Sequence, residues 1–410
     1  MTDRRLFTSM AALRGHPDKL CDRISDALVD AHLNLDTNAR IRAETAAAGQ
    51  VVFVAVDARL RGQVDLTGVV RATIAETGYD PGDLDPRRCT ILLQSGSTSP
   101  AWASTERGQP TDADAAVATE QTTVFGYACS ETAERMPLPI RLAQRIAGRL
   151  DRLVLDRAVP GLGPDGSVQV TVEYEGDRPV RIDALVMQLQ HRGDAVDLRD
   201  AVWRLVVEPT FNRARVGPDS ATHLSLNPEG PLLVGGPARG PGHTGRKQAS
   251  DTYGSAARHG DGALSGKDPS RLDRCAAYAA RHVASNVVAA GLATECEVML
   301  SYTLGRAEPA TVYARTFGRG QLTNERLSEL IRALFDLRPG AIGRRFRLWS
   351  LPRERGGHFY RELATGGQVG RTDLELPWEA LDAVETLREA AGRTTTSADT
   401  SALSAEPASS

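Results

Sequence analysis

Gly266-Lys267-Asp268-Pro269-Ser270-Arg271-Leu272-Asp273 places two cations, two carboxylates and the start of a helix within eight residues. Asp268 is suited to cap a helix and Pro269 to its first position, and the alanine-rich run that follows extends to Gly291. The free backbone N–H groups of such a helix start favour anions. Lys267 and Arg271 add positive charge, and Asp273 offers a hard oxygen ligand for a divalent cation. The stretch is laid out as a polyphosphate–magnesium site. Gly15-His16-Pro17-Asp18-Lys19 repeats that layout far away in the chain. There Pro17 lies just inside a helix start, His16 sits at its mouth, and Asp18 is a second candidate Mg²⁺ ligand. His16 is placed to hydrogen-bond an oxygen that turns negative as a bond breaks. Taken alone, the pentapeptide is equally compatible with an ordinary helix cap bearing an exposed histidine.

Outward from these two points the pattern is mixed. From Pro17 to Leu35, Leu20, Ile24, Leu28, Ala31 and Leu35 follow helical spacing, while Asp18, Asp22, Asp26 and Asp30 recur on other faces. Strands are expected over 51–56, 168–174, 182–189, 296–304 and 311–317, and helices over 140–155, 198–206, 272–290 and 324–335. Strand runs separated by amphipathic helices indicate an α+β protein with mainly antiparallel sheets. The stretches 96–114 and 227–245 are rich in turn residues and are expected to be irregular and functional or mobile. The last residues, 393–410, are Thr/Ser/Ala-rich and are expected to form a disordered tail.

The 410 residues, 41% of them hydrophobic, suffice for more than one structural domain. A net charge of −3 gives no global reason to expect nucleic acid or an anionic membrane as partner. The five cysteines form no C-x-x-C pair, which argues against a zinc cluster or disulfide scaffold and suits a reducing cytoplasm. No signal peptide is expected, and no apolar run approaches the ~18 residues of a membrane span. Cys21 and the tryptophans Trp203, Trp349 and Trp378 are expected to pack, and His32, His191, His223 and His282 lack metal-ligand spacing.

Further motifs occur in order. They are Leu6-Phe7-Thr8-Ser9, Ile24-Ser25-Asp26-Ala27, Phe125-Gly126-Tyr127-Ala128, Thr244-Gly245-Arg246-Lys247 and Asp251-Thr252-Tyr253-Gly254. Ala276-Ala277-Tyr278-Ala279-Ala280-Arg281 and Phe335-Asp336-Leu337-Arg338-Pro339 extend the series beyond the two helix starts. The series resembles the methionine adenosyltransferases, or S-adenosylmethionine synthetases, over nearly the whole chain up to about Arg393. The resemblance implies three similar α+β domains around a pseudo-threefold axis, which we place at 1–103, 104–234 and 235–392. It also implies a homodimer or homotetramer with active sites shared between subunits. The implied reaction is attack of the methionine sulfur on C5′ of ATP, loss of the whole triphosphate, and its cleavage to phosphate and pyrophosphate, with two Mg²⁺ and one K⁺.

By the same resemblance His16 stands by the departing oxygen, and Asp18 and Asp273 bind Mg²⁺. Arg246, Lys247, Lys267 and Arg271 clamp phosphates, with His16, Lys267 and Arg246 as the catalytic set. Glu44 matches the K⁺-binding glutamate, Asp165 contacts ribose, and Ala263 falls among the ATP-binding positions. Asp57, Thr98 and Arg271 match positions at the methionine end. Several of these depart from the family. A lysine expected two residues after Asp165 is Ser167, and loss of one such charged contact typically costs ~2.7–4 kcal/mol. Arg178 and Arg181 are nearby cations that could compensate. A Gly-rich loop has become Val117-Ala118-Thr119-Glu120-Gln121-Thr122, Asp57 is one methylene shorter than the family glutamate, and Gly240 replaces an aspartate. Met10 and Arg14 replace glutamates, and Arg271 replaces a lysine. The altered acceptor end leaves three other readings: a paralogue that adenosylates another nucleophile, a non-catalytic ATP-binding regulator, and a triphosphatase.

Overall fold

Arg40–Ala48 and Val51–Arg59 alternate buried and open positions along their length, the period-two signature of a sheet with one covered face. The computed structural model describes residues 4–96, 116–193, 195–212 and 214–392. Its strands are β1 (Arg4–Ala12), β2 (Arg40–Ala48), β3 (Val51–Arg59), β4 (Thr90–Gly96), β5 (Thr122–Cys129) and β6 (Leu162–Glu175). β7 (Arg178–His191), β8 (His223–Leu226), β9 (Gly242–His243), β10 (Glu295–Tyr302) and β11 (Thr311–Arg315) follow. Helices of eight residues or more are α1 (Pro17–Leu35), α2 (Leu66–Thr77), α3 (Leu138–Leu155), α4 (Ala195–Val202), α5 (Leu272–Ala289) and α6 (Asn324–Leu334). None of the described helices is long and apolar enough to cross a membrane.

Three sheets result, in the orders β4-β3-β2-β9, β1-β6-β7-β8 and β11-β10-β5. All pairings are antiparallel except β3 with β4 and β7 with β8. One long helix covers each sheet: α1 against β2, α3 against β1 and β6, and α5 against β5 and β10. The sheets trade strands in a cycle. β1 leaves the first third of the chain to pair with β6, β5 leaves the second third to pair with β10, and β9 leaves the last third to pair with β2. Each linear segment therefore depends on the next for a complete sheet, giving the expected threefold α+β arrangement.

The aspartates of α1 lie four residues apart and form one stripe, as helical geometry requires. That stripe is buried. Asp18 accepts His243 N at 2.9 Å, Asp22 accepts Gly245 N at 2.7 Å, and Asp26 accepts Gly266 N at 2.9 Å. Asp30 accepts both Tyr360 N and Arg361 N at 2.9 Å. α1 is thus a spine on which three segments of the C-terminal third hang. Buried carboxylates demand partners. Lys19 bridges Asp22 at 2.9 Å and Asp251 at 2.5 Å, and Arg274 meets Asp26 at 2.5 Å.

Some expectations need correction. Asp268 does not cap α5: the residue before the helix is Arg271, which makes no side-chain cap. Asp268 instead accepts Ile41 N and Ser270 N, both at 2.8 Å, and so ties its turn to β2. The expected 198–206 helix divides into α4 and a π-helical turn at Trp203–Val207, and Trp203 is 43% exposed rather than packed. Trp378 and Cys21 are buried as expected. The stretch 227–245 has only a short 3-10 turn at Gly236–Ala238 and the two-residue β9 as regular structure. The expectations for 97–114, Thr98 included, and for the tail 393–410 lie outside the described residues.

Candidate active site

His16 occupies the N-cap of α1 with extended backbone, and its Nδ1 accepts Asp18 N at 3.2 Å. Burial, then the neighbouring Lys247 ammonium, pull the imidazole pKa down to about 4. The ring is neutral at physiological pH, and with Nδ1 accepting, its proton resides on Nε2. Gly15 N donates to Pro164 O at 3.0 Å, and Tyr79 Oη donates to Gly15 O at 2.5 Å. A Cβ on Gly15 would stand 2.5 Å from that of Pro164, so the turn needs glycine.

Asp18 is 2% exposed. Burial opposes its ionisation, but the Lys247 ammonium at 2.5 Å and the His243 N–H hold its pKa below the usual carboxylate range. Arg246 Nη1 lies 3.8 Å from Asp18 Oδ1, and its side chain is more than half exposed. Asp165, at the start of β6, is wholly buried. Its Oδ2 accepts Gly236 N at 2.9 Å, while Oδ1 has no donor. Burial pushes its pKa up to about 6, against the Gly236 N–H and the Arg239 charge.

The second helix mouth pairs the Lys267 ammonium with Asp273. Thr122 Oγ1 donates to the other Asp273 oxygen at 2.7 Å. Glu120 performs the capping expected of Asp268: its Oε1 accepts Leu272 N at 2.8 Å, and its Oε2 lies 3.6 Å from Arg271. Gly266 holds φ at +82° so that its carbonyl accepts Ala43 N at 2.7 Å, which lays Lys267 beside Arg42 of β2. The two mouths touch through the loop before Leu264. Gly245 packs against Ala263, and Gln248 Nε2 donates to Gly262 O at 2.7 Å. Ala263 therefore lies where the Thr244-Gly245-Arg246-Lys247 turn meets the α5 mouth.

Glu44 and Asp57 come together on the outward face of β2 and β3. They line a cavity of about 260 Å³ with Arg42, Ala55, Val56, Gln94 and Gly96. That is below the ~300–1,000 Å³ typical of whole drug-sized ligands, so it can take only a small group. Asp57 Oδ1 is buried there without a donor. Arg178 and Arg181 do not reach the site: Arg178 pairs with Glu175 at the far end of β7, and Arg181 is held by Glu173, Asp183 and Asp219. Residues missed in the sequence reading are Arg239, Thr122, Arg42 and Tyr79. Arg239 alone had a legible cue, a cation in the Gly-Pro turn just before Thr244-Gly245-Arg246-Lys247.

Two helix starts, each with a carboxylate–lysine pair, and a neutral imidazole at one of them mark the charged centre of an α+β protein of three interlocked sheets. The chain belongs to the S-adenosylmethionine synthetase family. Its residues 4–100, 115–232 and 234–380 match the N-terminal, central and C-terminal domains of S-adenosylmethionine synthetase. It is 44% identical over 415 residues to the S-adenosylmethionine synthase of Synechococcus elongatus, covering 96% of this chain and 100% of that one. It is 43% identical over 410 residues to that of Thermosynechococcus vestitus, covering 95% and 99%, and 43% identical over 410 residues to that of Acaryochloris marina, covering 95% and 98%.

Proposed function

We propose that this chain makes S-adenosylmethionine from ATP and L-methionine and cleaves the displaced triphosphate to phosphate and pyrophosphate. The observation that carries the reading is the neutral His16 beside the Asp18–Lys247 pair at the α1 mouth. A sulfur lone pair forms the new bond to C5′ while the C5′–O5′ electrons leave with the triphosphate. A thioether is a modest nucleophile, so the leaving oxygen must be stabilised where its charge grows. His16 Nε2–H donates to that oxygen. Lys247, Lys267 and Arg246 bind the phosphates, the lysines as point charges and the arginine by its planar fork.

Asp18 and Asp273 would hold Mg²⁺. Each is a single carboxylate facing one lysine, and no three metal-ligating side chains cluster among the described residues. That donor set fits an ion that completes its shell with phosphate oxygens and water, as Mg²⁺ does. When bound, Mg²⁺ neutralises phosphate charge. Glu44, half exposed beside Arg42, is the candidate K⁺ ligand. The donorless oxygens of Asp165 and Asp57 are acceptors for a ribose hydroxyl and the methionine ammonium respectively. We further propose that two copies associate through the outward face of β2, β3 and β4, where Val51, Phe53 and Leu92 are 41–50% exposed next to the Asp57 cavity.

The test is incubation with ATP, Mg²⁺, K⁺ and methionine, with mass-spectrometric detection of product. S-adenosylmethionine, phosphate and pyrophosphate are expected, and no product at high enzyme overturns the reading. A second reading, a different thioether as acceptor, draws on Arg271, which meets Glu120 rather than the cavity. Product from a methionine analogue in preference to methionine would select it.

A further inference from the structure

Ser167 lies on β6 two residues beyond Asp165, opposite Ala12, and brings no charge to a reaction whose leaving group carries several. A cation does reach this corner from elsewhere. Arg239 follows the 3-10 turn Gly236–Ala238, and its N–H bonds Gly236 O at 3.0 Å. Gly236 N in turn donates to Asp165 Oδ2. The turn carrying Arg239 is therefore pinned to Asp165 by backbone, and the guanidinium Nη1 stands 4.0 Å from the same carboxylate. At 4.0 Å the contact is electrostatic and not a hydrogen bond, so it consumes none of the arginine donors. Arg239 is 44% exposed at its side chain while Asp165 is sealed, so the guanidinium has an open side. The other arginine on this flank, Arg192, is taken by Asp80 and Asp83.

We infer that Arg239 is a phosphate-contacting cation that supplies, at the Asp165–His16 corner, the positive charge absent from Ser167. The inference rests on the proposed reaction. A planar guanidinium offers paired N–H donors to phosphate oxygens and stays charged at all working pH. Arg239 follows the Gly236–Ala238 turn and Ser167 lies on β6 two residues from Asp165, so a cation at either position can serve the same corner.

The test uses the full chain with Arg239→Gln, Arg239→Lys, Ser167→Lys, and Arg239→Gln combined with Ser167→Lys. Arg239→Gln should lower kcat by ~10²–10³ with little change in KM for methionine. Arg239→Lys should retain more activity than Arg239→Gln, and adding Ser167→Lys to Arg239→Gln should recover tenfold or more. A second readout is calorimetric binding of tripolyphosphate with Mg²⁺, which Arg239→Gln should weaken ~10-fold or more and the double variant should restore. Unchanged kcat and unchanged tripolyphosphate affinity in Arg239→Gln overturn the inference. Loss of activity without rescue by Ser167→Lys, at intact tripolyphosphate affinity, also overturns it and assigns Arg239 a structural role. If the natural chain forms no S-adenosylmethionine, the proposed function falls, while the tripolyphosphate measurement still decides Arg239.

Discussion

The Lys247 ammonium sits 2.5 Å from Asp18 Oδ2, although 229 positions separate the two residues. The pair is nearly sealed from water on the carboxylate side. Lys267 and Asp273 repeat the arrangement at the second helix mouth within six residues. In both places, on the proposed function, a lysine that would bind phosphate neutralises a carboxylate that would hold metal. If the proposed function holds, Lys247 and Lys267 would turn to phosphate while Asp18 and Asp273 would hold the metal, so each lysine–carboxylate contact would be replaced by two others. The buried charges are never left unpaired.

Asp18→Asn separates those roles. The amide cannot replace the carboxylate as a Mg²⁺ ligand, so affinity for ATP in the presence of Mg²⁺ should fall ~10-fold or more. Affinity for metal-free ATP should hold or tighten, because Lys247 is released from its anion. Calorimetric titrations with and without Mg²⁺ read both, and an equal loss in the two would show that Asp18 does not serve the metal.

His16→Ala should lower kcat by ~10²–10³ with a smaller effect on ATP binding, since its hydrogen bond strengthens only as the leaving oxygen charges. The imidazole acts in its neutral form, so this contribution is lost as pH falls through about 4 and not near the usual histidine value of 6.5. Lys247→Met removes a charge that depresses this pKa and should move the imidazole titration upward. NMR titration of the ring gives the shift directly, and an imidazole that titrates near 6.5 in the natural chain contradicts the burial argument.

How much of this was legible in the sequence follows from how local each signal is. α1 and α5 were visible because proline, helical period and flanking turns all lie within one segment. The spacing of Asp18, Asp22, Asp26 and Asp30 was visible too, but their burial was not, because their partners are backbone N–H groups more than 200 residues away. β2 was hidden by its alanines, which favour helix, and became a strand because β3 and β9 pair on either side. Glu120 capping α5 joins residues 152 positions apart, so the nearer Asp268 took the role on paper. Arg239 acquires meaning only when the Gly236 turn folds against Asp165.

Asp165→Asn should stabilise the fold at neutral pH while weakening nucleotide binding. The folded-state pKa of about 6 lies above the ordinary 3.8, so the folded protein takes up this proton more readily than the unfolded chain. The resulting stability is present at low pH and is lost as pH rises from about 4 to about 6. Above that window the variant, which cannot ionise, should gain up to ~3 kcal/mol over the natural chain. Denaturant midpoints at pH 4.5 and 7.5 should therefore diverge between the two proteins much more at the higher pH. A constant difference would mean that Asp165 ionises as freely folded as unfolded.

Gly266→Ala tests whether the turn that decides the second mouth is held by crowding or by backbone conformation alone. Gly266 has φ of +82°, and an added Cβ would lie 2.0 Å from Ala43 O and 3.0 Å from the Ser25 Cβ. Gly49 also has positive φ, +56°, yet an added Cβ there meets nothing within 4 Å. Left-handed conformation alone costs an alanine ~1–2 kcal/mol, and forcing atoms into packed space adds ~1–3 kcal/mol. Gly49→Ala should show only the first cost and leave ATP binding intact. Gly266→Ala should show both, and because Ala43 N donates to Gly266 O and Gly266 N to Asp26, the displaced turn should carry Lys267 away and weaken ATP binding as well. Unfolding free energies and ATP titrations of the two variants side by side provide the check. Equal destabilisation with unchanged affinity in both would mean that the close approach to β2 does not position Lys267.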